Sequence, residues 1–255
     1  MKAPITMPAP PGVAFPRPAP AASARTARAE YVERFDVHQR IQHILMLASF
    51  TVLALTGLPQ KFDQLGLSQW AIAVLGGLET VRLIHHTAAW VMLFDCAYHA
   101  AYLIASVAVK RRLPLGAFAT PRDFVDAWRT LLYFLGLSRK KPAYDMFTYL
   151  EKFDYFAVFW GIAIIGGSGL VLLFPVAVTA ILPGYLVPVS FVAHSDEAVL
   201  AVGWILVVHM FYAHLAPRVF PFNTSIFTGL ARRDDARREH PRWIARLAKD
   251  ASKDG

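Results

Sequence analysis

Four long apolar stretches constrain this chain more than any other feature. They run from about Ile41 to Gly57, Leu83 to Val109, Tyr155 to Leu182 and Phe191 to Ala216, and none contains a lysine or an arginine. The hydrocarbon core of a bilayer is about 30 Å thick, so a helix needs roughly 20 apolar residues to cross it. The sequence therefore predicts an all-α integral membrane protein, built as a four-helix bundle.

Two details of this pattern concern the ends of the helices. Pro175 falls inside the third stretch, and because proline lacks a backbone donor we expect that helix to break there. The segment from Trp70 to Leu78 is apolar but too short to span. We expect it to lie at the membrane interface or to cap the bundle.

Composition supports lipid as the solvent. Only 17% of the 255 residues are charged, whereas a soluble domain carries about 25%. Cys96 is the single cysteine, which excludes a disulfide framework and a CxxCH motif for covalent haem attachment. The net charge is +8, but the basic residues flank the apolar stretches, so no nucleic-acid partner is expected.

The positive charges alternate along the chain. Residues 1–40 hold 6 of the 26 lysines and arginines, residues 110–152 hold 9 and residues 217–255 hold 9, whereas residues 58–82 hold 2 and residues 183–193 hold none. Cytoplasmic loops of membrane proteins are enriched in these residues. The sequence therefore predicts that the N terminus, the C terminus and the 110–152 segment are cytoplasmic.

The segments outside the spans differ in character. Residues 1–30 are rich in proline and alanine and lack the apolar core of a signal peptide, so they are expected to form a disordered arm. Residues 31–230 are expected to form the transmembrane domain, and residues 231–255 a basic cytoplasmic tail. Around Trp243 this tail either lies on anionic head groups or forms a solvated helix.

Six of the nine histidines lie inside or at the ends of the spans. They are His43, His85, His99, His194, His209 and His214. Ionisable side chains are costly in a bilayer and usually mark a functional site. Imidazole is a common axial ligand of haem iron, so the set points to bound haem.

Depth separates these histidines into two layers. In the predicted topology the second and fourth helices both start at the outer face, where His85 and His194 lie, with His86 adjacent. His99 follows His85 by 14 residues, which places it roughly 21 Å deeper and turned by about 40°. His209 follows His194 by 15 residues, roughly 22 Å deeper.

The outer layer thus has one evident pair, but the inner layer has three candidates. His43 starts the first helix near the inner face, so an inner site could use His43, His99 or His209. His214 lies about 140° round a regular helix from His209, which makes it a weaker candidate. Asp95 lies four residues before His99, on the same face. It could orient an imidazole, relay protons or be a neutral acid bonded to backbone.

Three segments resemble a known family. RFDVHQRIQHILMLASFTVLALTGLP, VRLIHHTAAWVMLF and HSDEAVLAVGWILVVHMFYAHLAPRVFPFNTSIFTG resemble the first, second and last helices of the cytochrome b (gamma) subunits of membrane formate dehydrogenases and nickel-iron hydrogenases. YLEKFDYFAVFWGIAIIGGSGLVLLFP resembles the third helix of a subgroup often met beside multihaem cytochromes c. The resemblance covers roughly residues 31–230.

The resemblance implies two haem b groups. The outer one would be held by His85 and His194, and the inner one by His43 and His209. In the better-known formate dehydrogenase cytochromes the two ligands of the last helix are one residue closer together than here, so His99 stays a rival for the inner site.

The family also exchanges electrons with quinone near the inner haem. By analogy, a quinone or menaquinone site is expected among His38, Arg40, His43 and His209. The implied partner is a periplasmic dehydrogenase, reductase or multihaem cytochrome c, and the implied location is the bacterial inner membrane, with multiple spans. The chain would be the electron-transfer subunit of an oxidoreductase.

Two other functions remain open from the residues alone. The histidines and Asp95 could form the proton relay of a transporter, or the bundle could be a haem-free anchor for a soluble enzyme. The sequence shows no nucleotide-binding glycine loop, no Ser-His-Asp order and no zinc-type cluster, so no catalytic residue is assigned.

Overall fold

Four long helices dominate the computed structural model, which describes residues 30–110, 116, 118–217 and 219–252. They are α1 (Val37–Lys61), α3 (Leu78–Lys110), α5 (Tyr149–Leu173) and α7 (Leu186–Leu215), and each is long and apolar enough to cross a membrane. The predicted fold class is thereby confirmed: the protein is an all-α, multi-pass membrane bundle. Apart from Glu30, the predicted disordered arm lies outside the described residues.

Six short helices complete the described part of the chain. They are α2 (Gly66–Val74), α4 (Pro121–Phe134), α6 (Pro175–Thr179), α8 (Ser225–Thr228), α9 (Arg233–Glu239) and α10 (Pro241–Ala251). The short apolar segment around Trp70 forms a separate helix, which lies four residues closer to the N terminus than the predicted segment Trp70–Leu78. By contrast, α4 was not expected, because the sequence marks residues 110–152 only as a basic connection.

Capping and proline set the ends of α5. The helix begins at Tyr149, earlier than the apolar stretch suggests, because Thr148 and Glu151 form a capping box that starts it within polar sequence. It ends at Leu173, and Pro175 then opens α6. The predicted break at Pro175 is confirmed, but the third span lies several residues closer to the N terminus than predicted.

The spans are polar inside and apolar outside. Their buried side chains include Ser49, Thr56, Asp95, Ser168 and Ser190, whereas Leu55, Phe94, Ile104, Leu200 and Val207 are exposed. In water so much exposed apolar surface would promote association. In a bilayer the same surface meets lipid, and the polar groups must find partners within the bundle.

Three turns of the spans are π-helical. They cover Ile162–Gly166 in α5, and Ile205–His209 and Phe211–Leu215 in α7. In such a turn hydrogen bonds join residues five apart, so each turn accommodates one residue more than an α-helical turn. Side-chain directions after a π-turn therefore differ from those expected for a regular helix.

The basic segments lie together at one end of the bundle, which we call the basic end. Strand β1 (Tyr31–Glu33) pairs antiparallel with β2 (Leu230–Arg232). Ion pairs then join the N-terminal region, the 110–152 segment and the C-terminal segment. They are Arg34–Glu151, Arg242–Asp126, Arg246–Asp145 and Lys141–Glu239. This clustering matches the charge pattern, while the side of the membrane that the basic end faces stays a prediction.

The C-terminal segment is docked onto the protein. Trp243 is only 3% exposed, and its ring meets that of His240. The His240 ring contacts the carbonyl oxygen of Asp145 at 2.6 Å through Nδ1. The Trp243 side chain is therefore packed against protein, while the position of the C-terminal segment relative to the head groups stays a prediction.

A buried ion pair fixes α4 to the start of α5. Lys152 Nζ lies 2.9 Å from both carboxylate oxygens of Asp123. Burial alone would raise the pKa of Asp123, but hydrogen bonds from Thr120 and the ammonium of Lys152 outweigh it and hold that pKa below its ordinary value. The carboxylate therefore stays charged and holds α4 against the membrane-spanning helix.

Candidate functional site

The two histidines predicted for the outer layer lie side by side. His85, near the start of α3, and His194, in the first half of α7, have ring centres 6.2 Å apart and ring planes inclined at 74°. Their helices are far apart in sequence but converge at the end of the bundle opposite the basic end. His86 is exposed. Its ring centre lies 6.4 Å from that of His85, but His86 is not part of the His85–His194 pair.

The hydrogen bond of His194 determines which ring nitrogen is free. Its Nδ1 lies 2.8 Å from the carbonyl oxygen of Ile165, within the π-turn of α5. A carbonyl can only accept, so Nδ1 carries the hydrogen and Nε2 keeps its lone pair. The imidazole is thereby oriented as a potential metal ligand.

The hydrogen bond of His85 leads to the same tautomer. The Thr56 hydroxyl lies 2.7 Å from the carbonyl oxygen of Val52, which takes its hydrogen. The Thr56 oxygen is then the acceptor for His85 Nδ1–H at 2.9 Å. Nε2 of His85 therefore also keeps a lone pair.

A glycine makes room for each ring. A Cβ atom on Gly57 would lie 3.1 Å from Cε1 of His85, and one on Gly169 would lie 3.0 Å from Cε1 of His194. Each imidazole thus rests on a hydroxyl residue and the glycine that follows it, Thr56–Gly57 in one case and Ser168–Gly169 in the other. In the sequence alone these glycines cannot be told from ordinary helix-packing residues.

The geometry of this outer pair fits one metal ion between two imidazoles. Imidazole nitrogens bind metals at about 2 Å, so two rings on opposite sides of one ion have their centres roughly 6 Å apart. The observed separation of 6.2 Å agrees with that requirement. A histidine that donates its other nitrogen to the protein is also the usual arrangement for a metal ligand.

At the inner layer, Asp154 orients His209. The Nδ1 of His209 lies 3.1 Å from Oδ2 of Asp154, while Trp204 donates to Oδ1 of the same carboxylate at 2.7 Å. A carboxylate behind an imidazole is a common support for a metal-binding histidine. Sequence reasoning missed Asp154 because it started the third span at Tyr155, directly after this residue, whereas the helix begins at Tyr149.

His43 and His214 lie near His209. His43 is close enough to His209 and His214 to interact with them electrostatically, and His214 likewise interacts with His209. Within the described part of the chain, Nδ1 of His43 and Nδ1 of His214 are buried and have no hydrogen-bond partner. Buried polar atoms are usually paired, so two unpaired imidazole nitrogens mark this region as a candidate site.

The position of His214 differs from the expectation for a regular helix. The π-turn Phe211–Leu215 brings residues five apart onto one face, so His214 shares a face with His209 instead of lying about 140° away. Its ring stacks on Phe222 at 4.1 Å. His214 is therefore part of the inner cluster, which helix arithmetic alone did not reveal.

His99 is held by the protein at both nitrogens. Its Nδ1 lies 2.8 Å from Oε1 of Gln42, and its Nε2 lies 2.9 Å from the hydroxyl of Tyr155. The Gln42 oxygen accepts from Nδ1–H, so Nε2 accepts from Tyr155. With no lone pair free, His99 is a poor rival to His43 as a ligand.

Asp95 is deeply buried in α3. It is 1% exposed, and its Oδ1 has no hydrogen-bond partner among the described residues. The groups that orient His99 are Gln42 and Tyr155. The structure therefore gives Asp95 no role in positioning that imidazole.

Two of the residues expected near a quinone, His38 and Arg40, lie on different faces of α1. His38 contacts the hydroxyl of Tyr98 at 2.7 Å through Nδ1, whereas Arg40 lies beside Gly229. Residues two apart in a helix point in nearly opposite directions. The structure thus does not bring His38 and Arg40 together.

Comparison with known proteins adds no relative. Neither the protein-family models nor the curated proteins give a match. The resemblance to cytochrome b subunits therefore rests on the sequence motifs described above.

The glycine beside His194 provides a test of this site. Replacing Gly169 with alanine places a methyl group against the imidazole, so we expect a lower thermal unfolding midpoint of the detergent-purified protein. The control is Gly167→Ala in the same helix, where a Cβ meets nothing within 4 Å. It should be neutral or stabilising by about 0.4–1 kcal/mol. Equal midpoints for both variants would contradict the close contact.

Proposed function

We propose that the protein is a membrane dihaem cytochrome b, which transfers electrons between the quinone pool and a periplasmic redox partner. The observation that carries this proposal is the outer pair. Two imidazoles from different spans have ring centres 6.2 Å apart, and each uses Nδ1 for a hydrogen bond to the protein, which leaves the lone pair on Nε2. His85 and His194 would hold the iron of a bound haem through these two nitrogens.

The inner haem is assigned to His43 and His209. Asp154 supports His209, Nδ1 of His43 has no partner among the described residues, and the two histidines lie near each other. The π-turn Ile205–His209 takes up one extra residue between His194 and His209. The spacing between these two histidines is one residue longer than in the family, and the π-turn accommodates that additional residue. His214 is the alternative ligand, because its Nδ1 is also unpaired.

Two such sites suit transmembrane electron transfer. His194 and His209 are 15 residues apart on α7, which separates the sites by roughly 22 Å along the helix. Bound haem supplies the one-electron chemistry. The chain contributes the orientation of the imidazoles by Thr56, Ile165 and Asp154, and it excludes water from the buried layers.

A relay of protons by Asp95 and the histidines is the second candidate. The observation in its favour is Asp95, whose Oδ1 is buried and has no hydrogen-bond partner among the described residues, because acidic groups inside membrane spans usually mark a function. The Gln42–His99–Tyr155 chain could extend such a relay. This function requires no haem, so the absorbance of the purified protein separates it, and a haem-free anchor, from the proposal.

Haem content tests the proposal directly. A reduced-minus-oxidised spectrum should show b-type bands, and extraction should yield about two haems per chain. His85→Ala and His194→Ala should each lose one haem, and His43→Ala and His209→Ala the other. His86→Ala and His99→Ala serve as matched controls and should keep both. A colourless wild-type protein would exclude the proposal, and haem loss in His99→Ala would overturn the inner assignment.

The carboxylate behind His209 allows a second test. Asp154→Asn keeps the shape but removes the charge that makes the imidazole a stronger donor to ferric iron. We expect the reduction potential of the inner haem to rise by tens of millivolts while that of the outer haem stays constant, as measured by spectroelectrochemical titration. Trp204→Phe, which removes only the bond to Oδ1 and leaves the carboxylate charged, should not raise that potential. Two unchanged potentials would remove Asp154 from this role.

Quinone exchange is assigned to the basic end, close to His38. The His38 imidazole contacts Tyr98, and its ring lies 5.8 Å from that of Tyr102, whose hydroxyl donates to Asp36 at 2.6 Å. His38 is exposed, so this polar group is accessible from outside the bundle. Arg40 packs beside Gly229 and is not needed for this site.

Haem reduction by a quinol analogue tests the quinone assignment. In stopped-flow experiments His38→Ala should slow reduction of the inner haem, because it removes a group able to hydrogen-bond the quinol oxygen. Arg40→Gln, on the opposite face of α1, is the control and should react at the wild-type rate. A wild-type rate in His38→Ala would remove His38 from the site.

A further inference from the structure

Helix α4 has two unlike faces. Phe124, Trp128, Leu131 and Leu135 follow each other at intervals of four, three and four residues, which places them along one stripe of the helix. All four are exposed; Phe124 is 76% and Trp128 60% accessible. We call them the apolar stripe.

The opposite face of α4 is bound to the rest of the protein. Asp126 accepts from Arg242 at 2.5 Å, and the Thr130 hydroxyl lies 2.6 Å from that of Tyr144. Asp123 is paired with Lys152 at the start of α5. These contacts fix the rotation of the helix about its axis, so the apolar stripe is held away from the protein core.

The position of α4 in the chain brings it to the membrane surface. It lies between two spans, and the Asp123–Lys152 pair ties it to the first turn of α5. Phe153 and Phe156 directly follow that first turn on α5, and both are exposed. The apolar stripe is thus connected to the first turns of α5, a span whose exposed apolar side chains face lipid.

Charge favours lipid over a protein as the covering partner. Val125 is also exposed, and on a regular helix it extends the apolar surface about 60° beyond Trp128. Arg122 and Arg129 are exposed and follow about 40–60° further round, at the edge of that extended surface. Aromatic and leucine side chains on one face with arginines at its edge are typical of helices that lie in the interface of anionic membranes. Long arginine side chains can reach lipid phosphates from that position.

We propose that α4 is an interfacial anchor that lies flat on the membrane at the basic end. Its apolar stripe enters the boundary between head groups and acyl chains, and Arg122 and Arg129 bind the phosphates of anionic lipids. The Asp126–Arg242 and Asp123–Lys152 pairs then connect the C-terminal segment and α5 to the lipid surface. This role is independent of haem.

Depth-dependent quenching tests the anchor. In a Cys96→Ser background, Trp128→Cys and, as the control, Lys249→Cys on α10 carry an environment-sensitive fluorophore, and each protein is placed in nanodiscs of phosphatidylethanolamine and phosphatidylglycerol. Both positions are exposed, so neither change should disturb folding. Lipids brominated on their acyl chains should quench the label at 128 strongly and the label at 249 little.

The opposite pattern would overturn the proposal. If iodide in the water, and not brominated lipid, quenches the label at position 128, the stripe faces solvent in the purified protein and is a surface for another protein. A label at 128 that neither quencher reaches would place the stripe against protein within the particle. Either result would leave the haem assignment untouched.

The contribution of anionic lipid is tested separately. Quenching of the label at position 128 should be stronger in nanodiscs with phosphatidylglycerol than in nanodiscs with phosphatidylcholine. Replacing Arg122 and Arg129 with glutamine should reduce this difference. Arg237→Gln, an exposed change on α9, should leave that difference at its original size. An undiminished difference in the double variant would show that the two arginines do not bind the lipid charge.

Discussion

The lack of water in the bilayer core determines how this bundle is built. Polar groups on the spans cannot be hydrated there, so they must bond within the protein. The hydroxyls of Ser49, Thr56 and Ser168 each bond to a carbonyl of their own helix four residues earlier. Once its hydrogen is used in this way, the Thr56 oxygen is left as an acceptor for His85. The constraint that places hydroxyls inside thus also orients an imidazole.

The π-turns also help polar groups inside the bundle to find hydrogen-bond partners. A π-turn interrupts the regular pairing of backbone groups, and one carbonyl within the turn of α5, that of Ile165, accepts from His194. In α7 the two π-turns contain His209 and His214 and bring both to the face near His43. The local backbone of α5 and α7 is therefore adapted to histidines that α7 carries.

Hydropathy and depth predict much of this arrangement, because they depend on composition and helix rise alone. They locate four spans and bring His85 and His194 to one end. They miss the π-turns, and with them the direction of His214, because a regular helix was assumed. Asp154 was missed although Thr148 and Glu151 form a capping box that is visible in the sequence and would have extended the third span to include it.

Helix α1 braces the outer pair without carrying either of its histidines. Thr56 and Gly57 contact His85 on α3, and Lys61, little more than one turn further, bonds to Ser195 at 2.8 Å and to Asp196 at 2.5 Å on α7. Ser195 directly follows His194. One short segment of α1 therefore ties both histidine-bearing helices and helps to hold the two rings at their observed separation.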